Sequence, residues 1–114
     1  MHSPDLLRVT TEELEHARVV RPAGEVELNT ARVLRHELDT ARNEAATTLL
    51  DLSDVTFMDS TGLQLLLEAS RRSAESEWIF LMVRPSEPVR RLIELSRTED
   101  LLTLVDAPPA PILG

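Results

Sequence analysis

Two rhythms of apolar residues alternate along the chain. Short runs rich in Leu, Val and Ile are separated by longer stretches in which an apolar side chain returns every three or four positions. The first rhythm marks strands, the second helices that pack by one face. Residues 6–11 read as a first strand, followed by an acidic turn at Glu12 and Glu13. Residues 17–26 read as a second, with Pro22 and Gly24 marking a bend or bulge near its end. Asn29 is placed to cap the next helix, because its side chain can accept from amides of the first turn. That helix carries Ala31, Leu34, Leu38, Ala41 and Ala45 in one stripe, with Arg32, His36, Asp39 and Asn43 opposite.

The run Thr48-Leu49-Leu50-Asp51-Leu52 suits a strand buried on both faces. Residues 53–59 read as a polar link, and a second helix follows with Leu63, Leu66, Leu67, Ser70 and Ala74 on one side. Six apolar residues in a row, residues 78–83, predict a central strand. Ser86 is placed to cap a third helix with Val89, Leu92 and Ile93 turned inward, and residues 101–105 predict an edge strand. Strands alternating with amphipathic helices imply a mostly parallel sheet with right-handed crossovers. The fold class is α/β: a small single-domain sandwich with a mixed sheet of four or five strands and helices packed on it. Residues 1–106 form the domain, and residues 107–114, with Pro108, Pro109 and Pro111, form a flexible tail.

Composition narrows the function. A chain of 114 residues builds one core. Aromatic residues make up only 3%, so that core rests on aliphatic side chains. The formal charge is −8, and all the cationic side chains are scattered arginines, a poor match to nucleic-acid phosphates. An acidic surface favours a partner that is neutral or basic at the contact. The absence of cysteine removes disulfides, thiolate catalysis and Cys-ligated zinc. No apolar run approaches the length needed to cross a bilayer, and residues 1–5 do not resemble a signal peptide. A cytoplasmic location, with no membrane insertion, is the expectation.

Chemistry concentrates in Phe57-Met58-Asp59-Ser60-Thr61-Gly62-Leu63. Asp59 is placed to cap the second helix, Ser60 and Thr61 lie in its first turn, and Gly62 permits close backbone approach. The Ser60 hydroxyl would stand exposed at a helix start; the bland alternative is a capped helix with a polar first turn. The preceding pair, Phe57-Met58, could anchor the turn as a staple or form part of a contact surface; Phe57 is expected in the core, and Met58 is open. Catalysis by Ser60 would need a general base and an oxyanion hole. His2, His16 and His36 sit in no such motif, and a Gly-x-Ser-x-Gly elbow is absent. With three glycines there is no phosphate loop, and Asp51, Asp54 and Asp59 lack metal-site spacing. No cofactor, no metal and no enzyme activity are expected.

The run from Phe57 to Leu63 resembles the signature of STAS domains, shared by anti-sigma factor antagonists and the cytoplasmic tails of sulfate transporters. Gly24-Glu25-Val26 with Thr30-Ala31, and Val89-x-Arg91-Leu92, are similar to earlier and later segments of the same family. The resemblance implies an antagonist whose Ser60 is the phosphate acceptor. Unphosphorylated, it would bind an anti-sigma factor serine kinase and so free the sigma factor. The kinase would use ATP and magnesium to modify Ser60, and a serine phosphatase would restore it. Glu27, Asn29, Met58, Asp59, Thr61, Gly62 and Gln64 are the residues expected at the partner contact. Glu27 stands where the family usually has Asp, and Gln64 where it commonly has Gly. The same resemblance leaves a second reading, a regulatory or scaffold subunit of a transporter or stress-sensing complex.

Overall fold

The computed structural model describes residues 6–105; the expected tail lies outside them. Strand β1 (Leu7–Glu13) pairs antiparallel with β2 (Arg18–Val26). Helix α1 (Ala31–Glu44), β3 (Thr47–Asp51), β4 (Val55–Met58), helix α2 (Ser60–Ala74), β5 (Ile79–Val83), helix α3 (Glu87–Ser96), a 3-10 turn (Glu99–Leu101) and β6 (Leu104–Val105) follow. The sheet has six strands in the order β1-β2-β3-β5-β6, with β4 beside the far half of β2. All pairs except β1–β2 are parallel. The α/β class stands, with one strand more than the sequence pattern predicted.

The extra strand is β4, inside the residues 53–59 read as a polar link. Its pattern is disguised by a bulge. Gly24 pairs with Val55 but Glu25 pairs with Phe57, so Thr56 is an additional residue on β4. Side chains alternate along a strand, and one extra residue reverses the parity. Val55 therefore points inward before the bulge, and Met58 points inward after it. Phe57 is turned out and 48% exposed, while Met58 is 5% exposed. The expectation for Phe57 is thereby corrected, and Met58 resolves to the core.

The turn falls later than predicted, over residues 14–17. Glu12 and Glu13 stay in β1, and the hairpin closes through Leu14 N–H donating to Ala17 O at 2.7 Å. In α1 the buried residues are Ala31, Leu34, Leu38 and Ala41, the expected stripe up to Ala45, which terminates the helix. In α2 the buried face is Gly62, Leu63, Leu65, Leu66 and Ala69, rotated from the prediction so that Ala74 is exposed. The triple leucine of residues 65–67 fits either rotation, and the position of Gly62 against β2 selects one. Strand β3 is buried along its whole length, and it rather than β5 is the most enclosed strand, since Ile79 of β5 is half exposed. Ser86 precedes α3, but its hydroxyl makes no capping bond.

One main core joins the helices to a single face of the sheet. Val20, Leu50, Phe80 and Met82 meet Leu34 and Leu38 of α1, Leu66 of α2, and Val89 and Ile93 of α3. Trp78 enters this core beside Phe80 with ring centroids 5.2 Å apart, and its Nε1–H donates to Thr48 Oγ1 at 3.0 Å. The bond explains how a Trp and a Thr are both buried without loss. On the opposite face a smaller cluster, Ala17, Val19 and Leu49, packs with Leu14 and Leu81.

Candidate functional site

The site forms where β4 turns into α2 beside the end of β2. Val26 pairs with Met58, and Asp59 N–H donates to Val26 O at 3.2 Å, fixing the turn against β2. Asp59 then caps α2. Its Oδ1 accepts from Thr61 N–H at 2.9 Å and Gly62 N–H at 3.1 Å, satisfying two of the first-turn amides. Its other oxygen, Oδ2, accepts from Leu28 N–H at 3.2 Å. One carboxylate thus starts the helix and ties the β2–α1 loop to it.

That loop is stapled internally as well. Thr30 Oγ1 donates to Glu25 O at 2.6 Å and accepts from Glu27 N–H at 3.0 Å. Glu27 Oε1 accepts from Asn29 N–H at 3.0 Å. The helix start predicted at Asn29 is corrected by this arrangement. Thr30 is the residue at the cap, and Glu27 O accepts from Thr30 N–H and Ala31 N–H. Asn29 remains exposed.

Ser60 is the first residue of α2 and is exposed; its hydroxyl makes no hydrogen bond among the described residues. Asp59 and Thr61 flank it half-buried, and Gln64 stands exposed one turn further on. Gly62 is enclosed. A Cβ there would sit 2.9 Å from Val26 O and 2.6 Å from Met58 Cγ, so glycine permits α2 to lie directly on β2 and β4. Of the seven residues expected at a partner contact, Glu27, Asn29, Asp59, Thr61 and Gln64 thus reach the surface around Ser60. Met58 and Gly62 are buried, and those two expectations are corrected: both hold the turn from beneath.

Two apolar side chains stand exposed at this rim, Leu28 unexpected from the sequence and Phe57 expected in the core. Leu28 is 72% exposed at the tip of the β2–α1 loop, and Phe57, paired with Glu25, is half exposed. Leu28 had a signal, a lone leucine between Glu27 and the polar Asn29-Thr30 pair. Phe57 had none, since the bulge at Thr56 decides its side. A rim with an exposed hydroxyl, two exposed apolar residues and carboxylates of Glu25, Glu27 and Asp59 has the chemistry of a contact surface. Among the described residues no group of His, Cys, Asp or Glu is arranged to hold a metal, and no helix is long and apolar enough to cross a membrane.

A family model described as "Mlab, STAS domain" matches residues 9–106. The anti-sigma-F factor antagonist RsfB of Mycobacterium tuberculosis is 32% identical over 111 residues, 94% of this chain and 91% of RsfB. The crystal structure of an anti-sigma factor antagonist from Mycobacterium paratuberculosis superposes with a TM-score of 0.79 at 26% identity, covering 94% of this chain and 92% of that one. The murine anion transporter Solute Carrier 26 family member A9 shares the fold at a TM-score of 0.68 and 17% identity; the match covers 85% of this chain and 17% of the transporter.

Proposed function

The chain belongs to the STAS domain family, and from that premise we propose that it acts as an anti-sigma factor antagonist switched by phosphorylation of Ser60. The unphosphorylated protein binds an anti-sigma factor that is also its serine kinase, which releases the sigma factor. Transfer of the ATP γ-phosphoryl group to Ser60 ends that binding, and a phosphatase reverses it. The protein works in the cytoplasm, has no catalytic role of its own and contacts no nucleic acid. The observation that carries this reading is the exposed, unbonded Ser60 hydroxyl at the start of a capped helix.

The switch follows from charge. Phosphate adds about −1.5 to −2 charges and three acceptor oxygens. The site already carries Glu25, Glu27 and Asp59, so a partner matched to the unmodified rim meets a larger and more negative one. A loss of about 3 kcal/mol at the contact lowers affinity more than a hundredfold. Asp59 and Gly62 fix the helix start without using the Ser60 side chain, so the fold does not depend on that hydroxyl being unmodified.

The test is direct. The kinase with MgATP is expected to add one phosphate, mapped by mass spectrometry to Ser60, and Ser60→Ala is expected to accept none. Stoichiometric modification of Ser60→Ala elsewhere would overturn the assignment. The transporter-subunit reading is not favoured, because likeness to the transporter is one of fold alone.

A further inference from the structure

We propose that the groove between α2 and the 3-10 turn is a second docking surface for the same anti-sigma factor kinase, one that Ser60 phosphorylation does not switch. This rests on the function proposed above. Ser60, Gln64, Leu67, Arg71 and Ala74 recur at intervals of four and three residues, which sets them in one stripe down α2. The phosphate acceptor is therefore the top of a continuous outward face, not an isolated point.

Beyond Gln64 that face borders a groove of about 510 Å³ walled on its far side by Asp100 and Leu101. Its floor is apolar, from Leu67 and Ala74, and Leu101 is 64% exposed. Across it stand Arg71 and Asp100, opposite in sign; neither makes a close ion pair among the described residues, though the Arg71 charge helps hold the Glu68 carboxyl below its ordinary value. Glu68, also in the lining, is already engaged by Arg35 at 2.8 Å and Arg72 at 3.1 Å. An apolar floor with a rim of opposite charges is the anatomy of a protein contact.

Two arguments select the kinase as occupant. The groove continues from the surface the kinase must approach to reach Ser60, through Gln64. A second copy of this chain would bring a further −8 charges against an acidic molecule, which opposes self-association. Independence from the switch follows from distance. At 1.5 Å per residue, Leu67 lies roughly 10 Å and Ala74 roughly 20 Å along the axis from Ser60. A phosphate on Ser60 therefore meets the partner at the rim and makes no direct contact in the groove, where the apolar floor carries the binding.

The experiment measures binding of the kinase that modifies Ser60 to wild type, Leu101→Glu, Ser60→Glu and the double variant by calorimetry. Leu101→Glu is expected to weaken binding about tenfold both in the wild-type background and in the Ser60→Glu background, with the two effects adding. Ala74→Arg, which fills the groove from an exposed position, is expected to do the same. Unchanged affinity in both groove variants overturns the proposal, as does self-association of the wild type that Leu101→Glu abolishes. A Ser60→Glu variant that binds normally while the groove variants do not would sink the phosphoswitch and leave the groove standing.

Discussion

Asp59 concentrates much of the site in one carboxylate, and its two oxygens do separable things. Oδ1 caps α2, and Oδ2 holds Leu28 N–H and with it the exposed Leu28 side chain. Replacing Asp59 by Ala removes the cap and the tether together, and a lost cap costs about 1 kcal/mol. Urea denaturation is expected to show that loss, with faster amide exchange at Leu28, Thr61 and Gly62; unaltered exchange at Leu28 would refute the tether. Gly62→Ala acts differently. The new methyl meets a backbone carbonyl that cannot step aside, and a destabilisation of about 1–3 kcal/mol is expected in the same assay. The cap was legible because Asp before a Ser-Thr-Gly run has one evident role. The Leu28 tether was not, since it joins positions 28 and 59, far apart in sequence.

Asp51 gives the residue scale its pH dependence. Burial pushes its carboxyl up, but Ser53 Oγ–H and N–H bonds at 2.7 and 3.0 Å, with Arg84 and Arg21 nearby, outweigh it and hold the group below the ordinary 3.8. A depressed folded-state value means the unfolded chain binds the proton first on acidification. The stabilisation is therefore fully present above the ordinary carboxylate range and is lost as pH falls through the lower folded value. Asp51→Asn is expected to cost about 1–2 kcal/mol at neutral pH and to flatten the acid limb of the stability curve. An acid limb as steep as wild type would assign the titration elsewhere.

At the scale of elements, the helices and the buried strand β3 were readable, and β4 was not. Periodicity served α1 because its stripe has no competing phase. It failed in α2, where consecutive leucines satisfy two rotations and only the contact of Gly62 with Val26 O decides between them. It failed again in β4, whose four residues are too few to show alternation once Thr56 interrupts it. The bulge makes a prediction contrary to size and hydrophobicity. Phe57→Ser, though it removes an aromatic ring, is expected to cost about 1 kcal/mol or less, whereas Met58→Ala is expected to cost about 2–4 kcal/mol. Thermal unfolding of the two variants checks this, and the reverse order would mean the parity of β4 is misread.

For the whole molecule, the question is whether an anion can be added to an acidic protein without unfolding it. The first-turn amides of Thr61 and Gly62 are already occupied by Asp59, so a phosphate on Ser60 does not inherit them. What remains in its favour is the dipole of α2, worth about 0.3–1 kcal/mol at an exposed helix start. Against it stands the Asp59 carboxylate; at roughly 5 Å in water the repulsion of two such groups is about 1–2 kcal/mol before screening. These oppose each other closely, and the Ser60 side chain is itself exposed at the end of the sheet. The phosphorylated protein is expected to unfold cooperatively within about 1 kcal/mol of the unmodified one, the difference widening at low salt and shrinking as salt is added. Affinity for the kinase falls by a larger factor because a desolvated contact screens the new charge far less than open water does. Paired denaturation curves at two ionic strengths decide it: a phosphorylated form several kcal/mol less stable would make local unfolding, rather than repulsion at the rim, the means by which the partner is released.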